Sequence, residues 1–281
     1  MRTRKTSLFF ILFFSIFAYA QQNKASDAKK TAYKTETSIA YRDAKIESLD
    51  DYAKQQCRLD LYYPVDQPSF KTVIWLHGGG LTDGEKEIPE ELKQLGVAVV
   101  GVGYRKSPQV KCDLILDDAA AAVAWVLKNI SKYGGDSKNV ILSGYSAGGY
   151  LALMVAMDKS WLANYQVDAN MLTGIVAISP QVITHFAIRK ERGIPATRAL
   201  VDEFAPLYHV RNDLPPLMLV TGDRELEMLG RYEENAYLKR MLILVGCRKT
   251  ELYELDGFDH GGMLQPALRL FVKHIARLNS Q

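Results

Sequence analysis

The sequence predicts an α/β fold in which helices cover both faces of a mostly parallel sheet. Two observations carry this prediction: runs rich in apolar, β-branched residues recur along the chain, and stretches with helical spacing separate them. Strands that are apolar along their whole length are buried on both faces, as in a parallel sheet layered between helices. A third observation, a break in the alternation at about residues 181–212, predicts a small cap insertion over the carboxyl edge of the sheet, where ligands bind in such folds.

Each element follows from its own pattern. The first strand segment, residues 57–64, alternates polar and apolar residues and predicts an antiparallel start, whereas most later strand segments are almost continuously apolar. The later strand segments are residues 72–77, 97–104, 139–144, 174–179, 216–222 and 251–257. Segments with helical periodicity are residues 85–95, 114–130, 147–157, 231–244 and 264–278.

The first twenty residues have the layout of a secretory signal peptide. Basic residues precede an apolar run, Leu8 to Phe17, and Ala18-Tyr19-Ala20 is a small-x-small cleavage signal. The apolar run is too short to span a bilayer comfortably, although an uncleaved membrane anchor is the alternative. We therefore expect a periplasmic or secreted protein.

The charge of the remaining chain is balanced. The full chain has a formal net charge of +3, and residues 1–20 contain three basic residues and no acidic one, so residues 21–281 are formally neutral. This balance gives no support for nucleic acid or an anionic membrane as a partner. We also expect no stable membrane insertion after signal removal. Residues 21–35 are polar and rich in lysine, which predicts a flexible leader before one folded domain at residues 36–281. The oligomeric state is left open.

The three cysteines, Cys57, Cys112 and Cys247, are widely spaced and form no CxxC pair. This spacing favours neither a zinc site nor a disulfide framework. Buried free thiols are the simpler interpretation, and a single disulfide of unknown pairing is left open.

A serine stands between two glycines where a predicted strand meets a predicted helix, in Gly144-Tyr145-Ser146-Ala147-Gly148. This context is that of a nucleophile elbow, a sharp turn that lifts the serine hydroxyl into a cleft and leaves no room for side chains at the glycines. The N–H of Ala147 would lie at a helix N-terminus, where it can bind an anion. The alternative is a simple tight turn.

Three glycines follow the strand at 72–77, in His77-Gly78-Gly79-Gly80. Glycines let the backbone approach a ligand closely and point N–H groups at it, which a developing negative oxygen requires. A flexible turn is the alternative. We expect His77 to anchor this loop rather than to act as a base.

His260 is the candidate base, because it lies on the glycine-rich loop between the last strand and the last helix. An imidazole can take the proton of a serine hydroxyl near neutral pH. His274 is expected at the surface or in a packing role. His185 and His209 lie in or beside the insertion and are expected at the surface, with a place in the lining of the pocket as the alternative.

An acid that orients His260 should follow the strand at 216–222, where Asp223, Glu225 and Glu227 are available. The order serine, acid, histidine is the one expected for hydrolases with this fold.

Together these motifs resemble the α/β-hydrolase superfamily, and more closely its esterase and lipase branch with an HGGG loop. That branch includes hormone-sensitive-lipase-like carboxylesterases, bacterial feruloyl and acetyl-xylan esterase-like proteins, and kynurenine formamidase-like proteins. The resemblance covers about residues 55–280. It rests on the segments WLHGGG, GYRKSP, GYSAGG, TGDRELE and DHGG.

The resemblance implies an α/β-hydrolase fold and a role for each motif. Ser146 and His260 would be catalytic, and the N–H groups of Gly79, Gly80 and Ala147 would form the oxyanion hole. In related hydrolases the acid follows the strand in a G-x-x-D or G-x-x-E frame, which favours Glu225; Asp223 is the alternative, and Glu227 would begin the next helix. Asp118 corresponds to a structural acid of the family.

The implied activity is hydrolysis of carboxylic esters through an acyl-enzyme, with no metal and no organic cofactor. Export favours short acyl or aromatic esters, including esters on sugars, as substrates. Three alternatives stay open: a formamidase-like amidase with the same triad, a peptidase on the same fold, and an inactive hydrolase-fold binding protein.

Overall fold

Residues 31–228 and 230–279 are described by the computed structural model of the chain. The strands of this part are β1 (Tyr33–Ala40), β2 (Arg58–Pro64), β3 (Phe70–Leu76), β4 (Ala98–Val102), β5 (Gly135–Tyr145), β6 (Gly174–Ile178), β7 (Leu217–Gly222) and β8 (Thr250–Leu255). They form one sheet in the order β1-β2-β4-β3-β5-β6-β7-β8. The pairs β1–β2 and β2–β4 are antiparallel and the other neighbouring pairs are parallel. The predicted mostly parallel sheet with an antiparallel start is confirmed.

The α-helices of the described residues are α1 (Ala44–Leu49), α2 (Asp51–Gln56), α3 (Cys112–Asn129), α4 (Ala147–Met157), α5 (Lys159–Ala163), α6 (Phe186–Glu191), α7 (Arg231–Leu244) and α8 (Leu264–Asn279). Alternate residues of each strand point to opposite faces of the sheet. In β3, Ile74 and Leu76 enter the core cluster that contains buried residues of α3, α4 and α7. Val73 and Trp75 enter a second cluster, to which α8 contributes. Helices therefore cover both faces.

Helix α4 directly follows the predicted elbow and is buried along its whole length. Every residue from Ala147 to Met157 is buried. A helix that is apolar on all sides is stable only when other elements surround it. This burial fixes the position of the turn that precedes α4.

Two predictions from the sequence are wrong, one about a helix and one about the end of the leader. The expected helix at residues 85–95 is reduced to a 3-10 turn, Glu90–Leu92, because Pro89 lacks an N–H and disfavours helical backbone at the residue before it. The predicted flexible leader extends too far, because β1 begins at Tyr33, whose ring stacks on Tyr62 with centroids 4.4 Å apart. The predicted signal peptide lies outside the described residues.

The insertion at residues 181–212 contains α6 and a 3-10 turn, Pro206–His209. Phe186, the first residue of α6, packs against the loop that follows β3: a Cβ atom on Gly80 would lie 3.0 Å from its Cζ. Since that loop leaves the carboxyl end of β3, α6 lies beside the carboxyl edge of the sheet.

Buried charge is concentrated around Asp118 in α3. Its carboxylate is fully buried and accepts hydrogen bonds from Arg42 Nε at 2.9 Å and from Arg105 Nε and Nη2, each at 2.8 Å. Arg42 follows β1 and Arg105 follows β4, so the cluster ties the start of the sheet to α3. This geometry supports a structural role.

Cys57, Cys112 and Cys247 are buried and free. The described residues include no helix long and apolar enough to cross a membrane. Nor do they contain a group of three or more histidine, cysteine or acidic side chains placed to hold a metal ion.

Candidate active site

Ser146 occupies a strained turn between β5 and α4. Its backbone has φ 55° and ψ −116°, and its N–H donates to the Ile178 carbonyl at 2.8 Å. A Cβ on Gly148 would lie 2.0 Å from the Leu76 carbonyl oxygen, and one on Gly144 would lie 2.4 Å from the backbone of Gly148. Side chains are therefore excluded at both glycines, and the turn holds Ser146 at the carboxyl edge of the sheet.

His260 reaches Ser146 from the loop between β8 and α8. Its Nε2 lies 2.9 Å from Ser146 Oγ, and its side chain is 25% exposed. The Tyr145 ring lies against the imidazole with centroids 5.2 Å apart, and the Tyr145 hydroxyl donates to the His260 carbonyl at 2.6 Å. Tyr145 therefore fixes both the ring and the backbone of His260.

Glu227 is the acid that meets His260. Its Oε1 lies 2.6 Å from His260 Nδ1, and its side chain is completely buried. The second oxygen, Oε2, accepts hydrogen bonds from the Gly222 N–H at 3.0 Å and from Ser179 Oγ at 2.9 Å. Because a carboxylate only accepts, Nδ1 of His260 carries the proton and Nε2 is free to accept one from Ser146.

The environment keeps Glu227 ionised. Burial by itself would raise the pKa of this carboxyl, but hydrogen bonds from His260 and from the N–H groups of Met228 and Gly222 outweigh it and lower the pKa to about 2. A negative charge is therefore held behind His260 across the physiological pH range.

The structure overturns the choice of Glu225 as the acid. The chain after β7 forms a helical turn in which the N–H of Glu227 donates to the Asp223 carbonyl at 2.8 Å. This turn directs Glu227 back towards the strand end and leaves Glu225 exposed. Within the described residues, the Glu225 side chain makes no hydrogen bond or ion pair. The G-x-x-E frame fails here because the turn inserts two further residues before the acid.

Asp223, the alternative acid, also does not reach His260. Its carboxylate accepts hydrogen bonds from the N–H groups of Gly257 at 2.7 Å and Glu225 at 2.9 Å. These bonds lower the pKa of Asp223. Asp223 therefore caps the turn and ties it to the loop that carries His260.

Two residues that the sequence analysis did not single out complete the surroundings of the acid. Ser179, which is fully buried, has a left-handed backbone with φ 46° and lies 3.0 Å from His260 Nδ1 through its Oγ. Arg231, 3% exposed, donates from Nη1 to the Ser179 carbonyl. Neither position carries a signal in a single sequence, because each contact joins segments about fifty residues or more apart.

His77 anchors the glycine-rich loop. It is buried, its ring stacks on Tyr104 with centroids 4.2 Å apart, and its Nδ1 lies 2.6 Å from the Gly78 carbonyl oxygen. Burial is the main reason why its pKa is lowered to about 4, so the ring is neutral near pH 7. His185, expected at the surface, is buried as well and accepts the Ala187 N–H at the start of α6.

The loop lies against the elbow. A Cβ on Gly78 would lie 3.5 Å from Ser146 Cβ, and Gly79 and Gly80 have positive φ angles of 116° and 64°. Among the described residues, no acceptor is hydrogen-bonded to the N–H of Gly79, Gly80 or Ala147. Three backbone donors are thus available near Ser146, from a loop and a helix N-terminus.

A nucleophile turn after β5, an acid after β7 and a histidine after β8, on this sheet, define an α/β-hydrolase fold. Comparison with known proteins shows that the chain is similar to proteins named as esterases. The sequence profile of the family described as BD-FAE matches residues 59–182, which is less than half of the chain. The resemblance to the esterase and lipase branch of the superfamily is thereby confirmed.

Curated relatives carry esterase names. The chain is 32% identical over 118 residues to a probable isoprenylcysteine alpha-carbonyl methylesterase of Oryza sativa, covering 40% of this chain and 28% of the relative. It is 22% identical over 260 residues to esterase LipC of Mycobacterium tuberculosis, covering 79% of this chain and 63% of the relative. The chain thus spans less than two thirds of the length of these relatives.

Solved structures agree with the fold. A truncated carbohydrate esterase from gut microbiota superposes with a TM-score of 0.70 at 17% identity, covering 90% of this chain and 99% of the other. Esterase B from Lactobacillus rhamnosis gives a TM-score of 0.70 at 23% identity, covering 95% and 92%. The α/β-hydrolase fold therefore accounts for the part of the chain that the structure describes.

Proposed function

We propose that the protein is a serine hydrolase that cleaves carboxylic esters through an acyl-enzyme. The observation that carries this proposal is the continuous hydrogen-bonded chain from Ser146 Oγ to His260 to Glu227, with distances of 2.9 and 2.6 Å. It lies at the carboxyl edge of a parallel sheet, on the fold of the esterases that this chain resembles.

The first half of the reaction forms the acyl-enzyme. Ser146 Oγ attacks the carbonyl carbon of the ester while His260 Nε2 takes its proton. The imidazolium that forms is stabilised by the Glu227 carboxylate. The N–H groups of Gly79, Gly80 and Ala147 are the proposed donors to the oxyanion of the tetrahedral intermediate.

Collapse of the intermediate completes the first half, and attack by water releases the acid in the second half. His260 gives its proton to the leaving alcohol, the carbonyl reforms, and the acyl group stays on Ser146. A water molecule then attacks the acyl carbon, again with His260 Nε2 as the base, and Ser146 leaves as a hydroxyl. His260 keeps the same orientation throughout because Glu227 and Tyr145 hold it.

Short acyl or aromatic esters, including esters on sugars, are the proposed substrates. The name of one similar structure, a carbohydrate esterase from gut microbiota, agrees with esters on sugars. The insertion contains one short helix, α6, whose end carries most of the charged run at 189–192, and one 3-10 turn, which is less than the broad apolar cap that a long lipid chain would need. Hydrolysis of four-carbon and two-carbon acyl esters should exceed that of twelve-carbon esters.

An amidase is the second candidate, because one relative is a probable N-octanoylanthranilate hydrolase of Rhodococcus erythropolis, 28% identical over 218 residues. Its name denotes cleavage of an N-acyl bond. The same triad can carry out both reactions, so assays on matched 4-nitrophenyl acetate and 4-nitroacetanilide decide between them.

Export is part of the proposal. The basic start, the apolar run from Leu8 to Phe17 and the Ala18-Tyr19-Ala20 signal support cleavage after residue 20 and a periplasmic or secreted location. Fractionation of the native host with N-terminal sequencing tests this, and cytoplasmic protein with an intact Met1 would contradict it.

Replacement of the nucleophile tests the mechanism. Ser146→Ala should lower the turnover of 4-nitrophenyl butyrate by roughly 10³-fold or more, because the attacking oxygen is lost. Wild-type protein should also gain one phosphoryl adduct from paraoxon, located on Ser146 by mass spectrometry. A folded Ser146→Ala protein with near-normal turnover would exclude this mechanism, and wild-type protein without hydrolysis would favour the inactive binding protein.

A further inference from the structure

A pocket of about 710 Å³ lies between the insertion and the turn that leads into α7. Its lining includes Phe186, Arg189 and Lys190 from α6, and Met228 and Arg231 from the chain after β7. Two of its lining residues connect the pocket to elements of the candidate active site. Phe186 packs against Gly80 of the glycine-rich loop, and Met228 follows Glu227 directly in sequence.

Arg189 is a buried cation without a counter-ion. Its side chain is 3% exposed, and within the described residues no carboxylate oxygen lies within 4.0 Å of its guanidinium. Its Nη1 donates to the carbonyl oxygens of Ala196 at 2.7 Å and Arg198 at 2.6 Å, while its Nε has no partner. Carbonyl groups satisfy donors but do not neutralise charge, and buried charges in proteins are normally paired.

The lining contains two further cations, Arg231 and Lys190, and the nearby carboxylates of Glu234 and Glu227 offset part of the charge of Arg231. Arg231 is also 3% exposed, its Nε lacks a partner, and Lys190 is exposed beside it. Among the described residues that line the pocket, none is acidic. Apolar side chains, including Phe186, Ile194 and Met228, form much of the remaining wall. The pocket therefore suits an apolar body that carries a negative group.

The buried side chain of His185 is affected by the same positive charges. Burial is the main reason why the pKa of His185 is lowered, and the positive charges of Arg231 and Arg189 lower it further. His185 is therefore neutral and adds no positive charge of its own, so the cations of this region are the two guanidinium groups and Lys190.

We propose that this pocket is a subsite for a carboxylate carried by the ester substrate, with Arg189, Lys190 and Arg231 supplying the positive field and the apolar wall contacting the chain that links the carboxylate to the ester. The proposal rests on the esterase function above and narrows its substrate class to acidic esters. The carboxylate can belong to the acyl part or to the alcohol part.

Matched substrates test the subsite and distinguish the two parts. Monoethyl adipate and its neutral monoamide place the group on the acyl side; 5-acetoxypentanoate and its amide place it on the alcohol side. At constant ionic strength we expect kcat/KM to be about tenfold higher for the charged member of one pair, as for a hydrogen bond to a charged group. Ratios near one in both pairs would overturn the proposal.

Variants connect the preference to the pocket. Arg189→Gln should bring the charged-to-neutral ratio close to one, and Lys190→Met should lower it about two- to threefold, as for an exposed ion pair. Lys138→Met is the matched control, because Lys138 is an exposed lysine at the amino end of β5, at the opposite edge of the sheet. A ratio that falls equally in Lys138→Met and Lys190→Met would also overturn the proposal.

Binding measurements test the subsite without relying on catalysis. They also avoid a substitution of Arg189, whose hydrogen bonds to the carbonyl groups of Ala196 and Arg198 hold the loop at 196–198. Calorimetry on Ser146→Ala should show tighter binding of the charged member of the favoured pair than of its amide, and Lys190→Met in that background should reduce the difference. Equal binding overturns the subsite even if the enzyme hydrolyses 4-nitrophenyl acetate. Unequal binding by a protein that hydrolyses no ester supports the subsite and rejects the proposed function.

Discussion

Asp118 and Glu227 are both fully buried carboxylates, but they have different partners. Asp118 meets the guanidinium groups of Arg42 and Arg105. Glu227 meets one histidine, one hydroxyl and two backbone N–H groups. The first carboxylate is surrounded by permanent charges, whereas the hydrogen-bond partners of the second include no guanidinium group.

The difference distinguishes a structural carboxylate, Asp118, from the acid of the proposed triad, Glu227. Guanidinium groups stay protonated, so the Asp118 cluster has one stable arrangement and ties separate segments together. Glu227 is held ionised by hydrogen bonds, so its negative charge can stabilise the imidazolium that would form at His260 in the proposed reaction. The two sites should accordingly fail in different ways when the charge is removed.

Removal of the charge at Glu227 should have the largest effect. Glu227→Gln keeps the size of the side chain but loses the charge that stabilises protonated His260 and holds its tautomer. We expect turnover of 4-nitrophenyl butyrate to fall several hundredfold or more, by analogy with triad acids. The measurement is steady-state kinetics on protein whose fold is verified by circular dichroism.

Glu225→Gln is the matched control for Glu227→Gln. It makes the same chemical change two residues earlier, at an exposed side chain, and should leave turnover within a factor of two or so, as for ordinary surface substitutions. If Glu225→Gln were crippled while Glu227→Gln stayed active, the assignment of the acid from the structure would be wrong.

Removal of the charge at Asp118 should affect stability instead. Asp118→Asn removes the fully buried carboxylate that Arg42 and Arg105 share and leaves them only the partly exposed carboxylates of Asp117 and Asp50, which should cost at most about 3–5 kcal/mol of the free energy of unfolding. Urea denaturation measures this loss. Asp213→Asn is the control, since Asp213 is 46% exposed and pairs with Arg211 and Lys159, and it should cost less than about 1 kcal/mol. Equal losses of unfolding free energy in the two variants would show that the Asp118 cluster has no special role in stabilising the fold.

Acid should weaken the contribution of Glu227 to stability. Its pKa is lowered from the ordinary 4.5 to about 2 in the folded protein, so the stabilisation is complete above pH 4.5 and is lost as the pH falls towards 2. The free energy of unfolding of the wild type should exceed that of Glu227→Gln by at most about 3 kcal/mol above pH 4.5. A gap that stayed constant down to pH 2 would contradict the lowered pKa.

Ser179 should have the smallest effect, as a positioning residue behind the acid. Ser179→Ala removes the hydroxyl that contacts Glu227 Oε2 and His260 Nδ1 and should lower kcat about tenfold with little change in KM, the order of one lost hydrogen bond to a charged group. Ser143→Ala is the comparison, because Ser143 is a buried serine whose Oγ donates to the Ile74 carbonyl at 2.7 Å. It should cost stability only, and a kcat as low as that of Ser179→Ala would show that both act through packing.

Much of the fold could be predicted because it depends on local patterns. Continuous apolar runs identify strands β3 to β7, and the spacing of apolar residues identifies α3, α4, α7 and α8. The false helix at 85–95 has suitable spacing, but Pro89 and the pairing of neighbouring segments decide against it. Strand β1 was missed because most of its residues are polar, and only pairing with β2 makes it a strand.

What the sequence by itself determined is the position of Ser146, His260 and the glycine-rich loop. Each is specified by a local pattern: a strand, two glycines and a helix around Ser146, three glycines directly after β3, and a glycine-rich loop before α8 for His260. The tertiary structure alone decided that the acid is Glu227, that Ser179 stands behind it, and that Arg189 is buried without a counter-ion. These contacts join distant segments, and the path of one helical turn after β7 determines which of three nearby acids points into the protein.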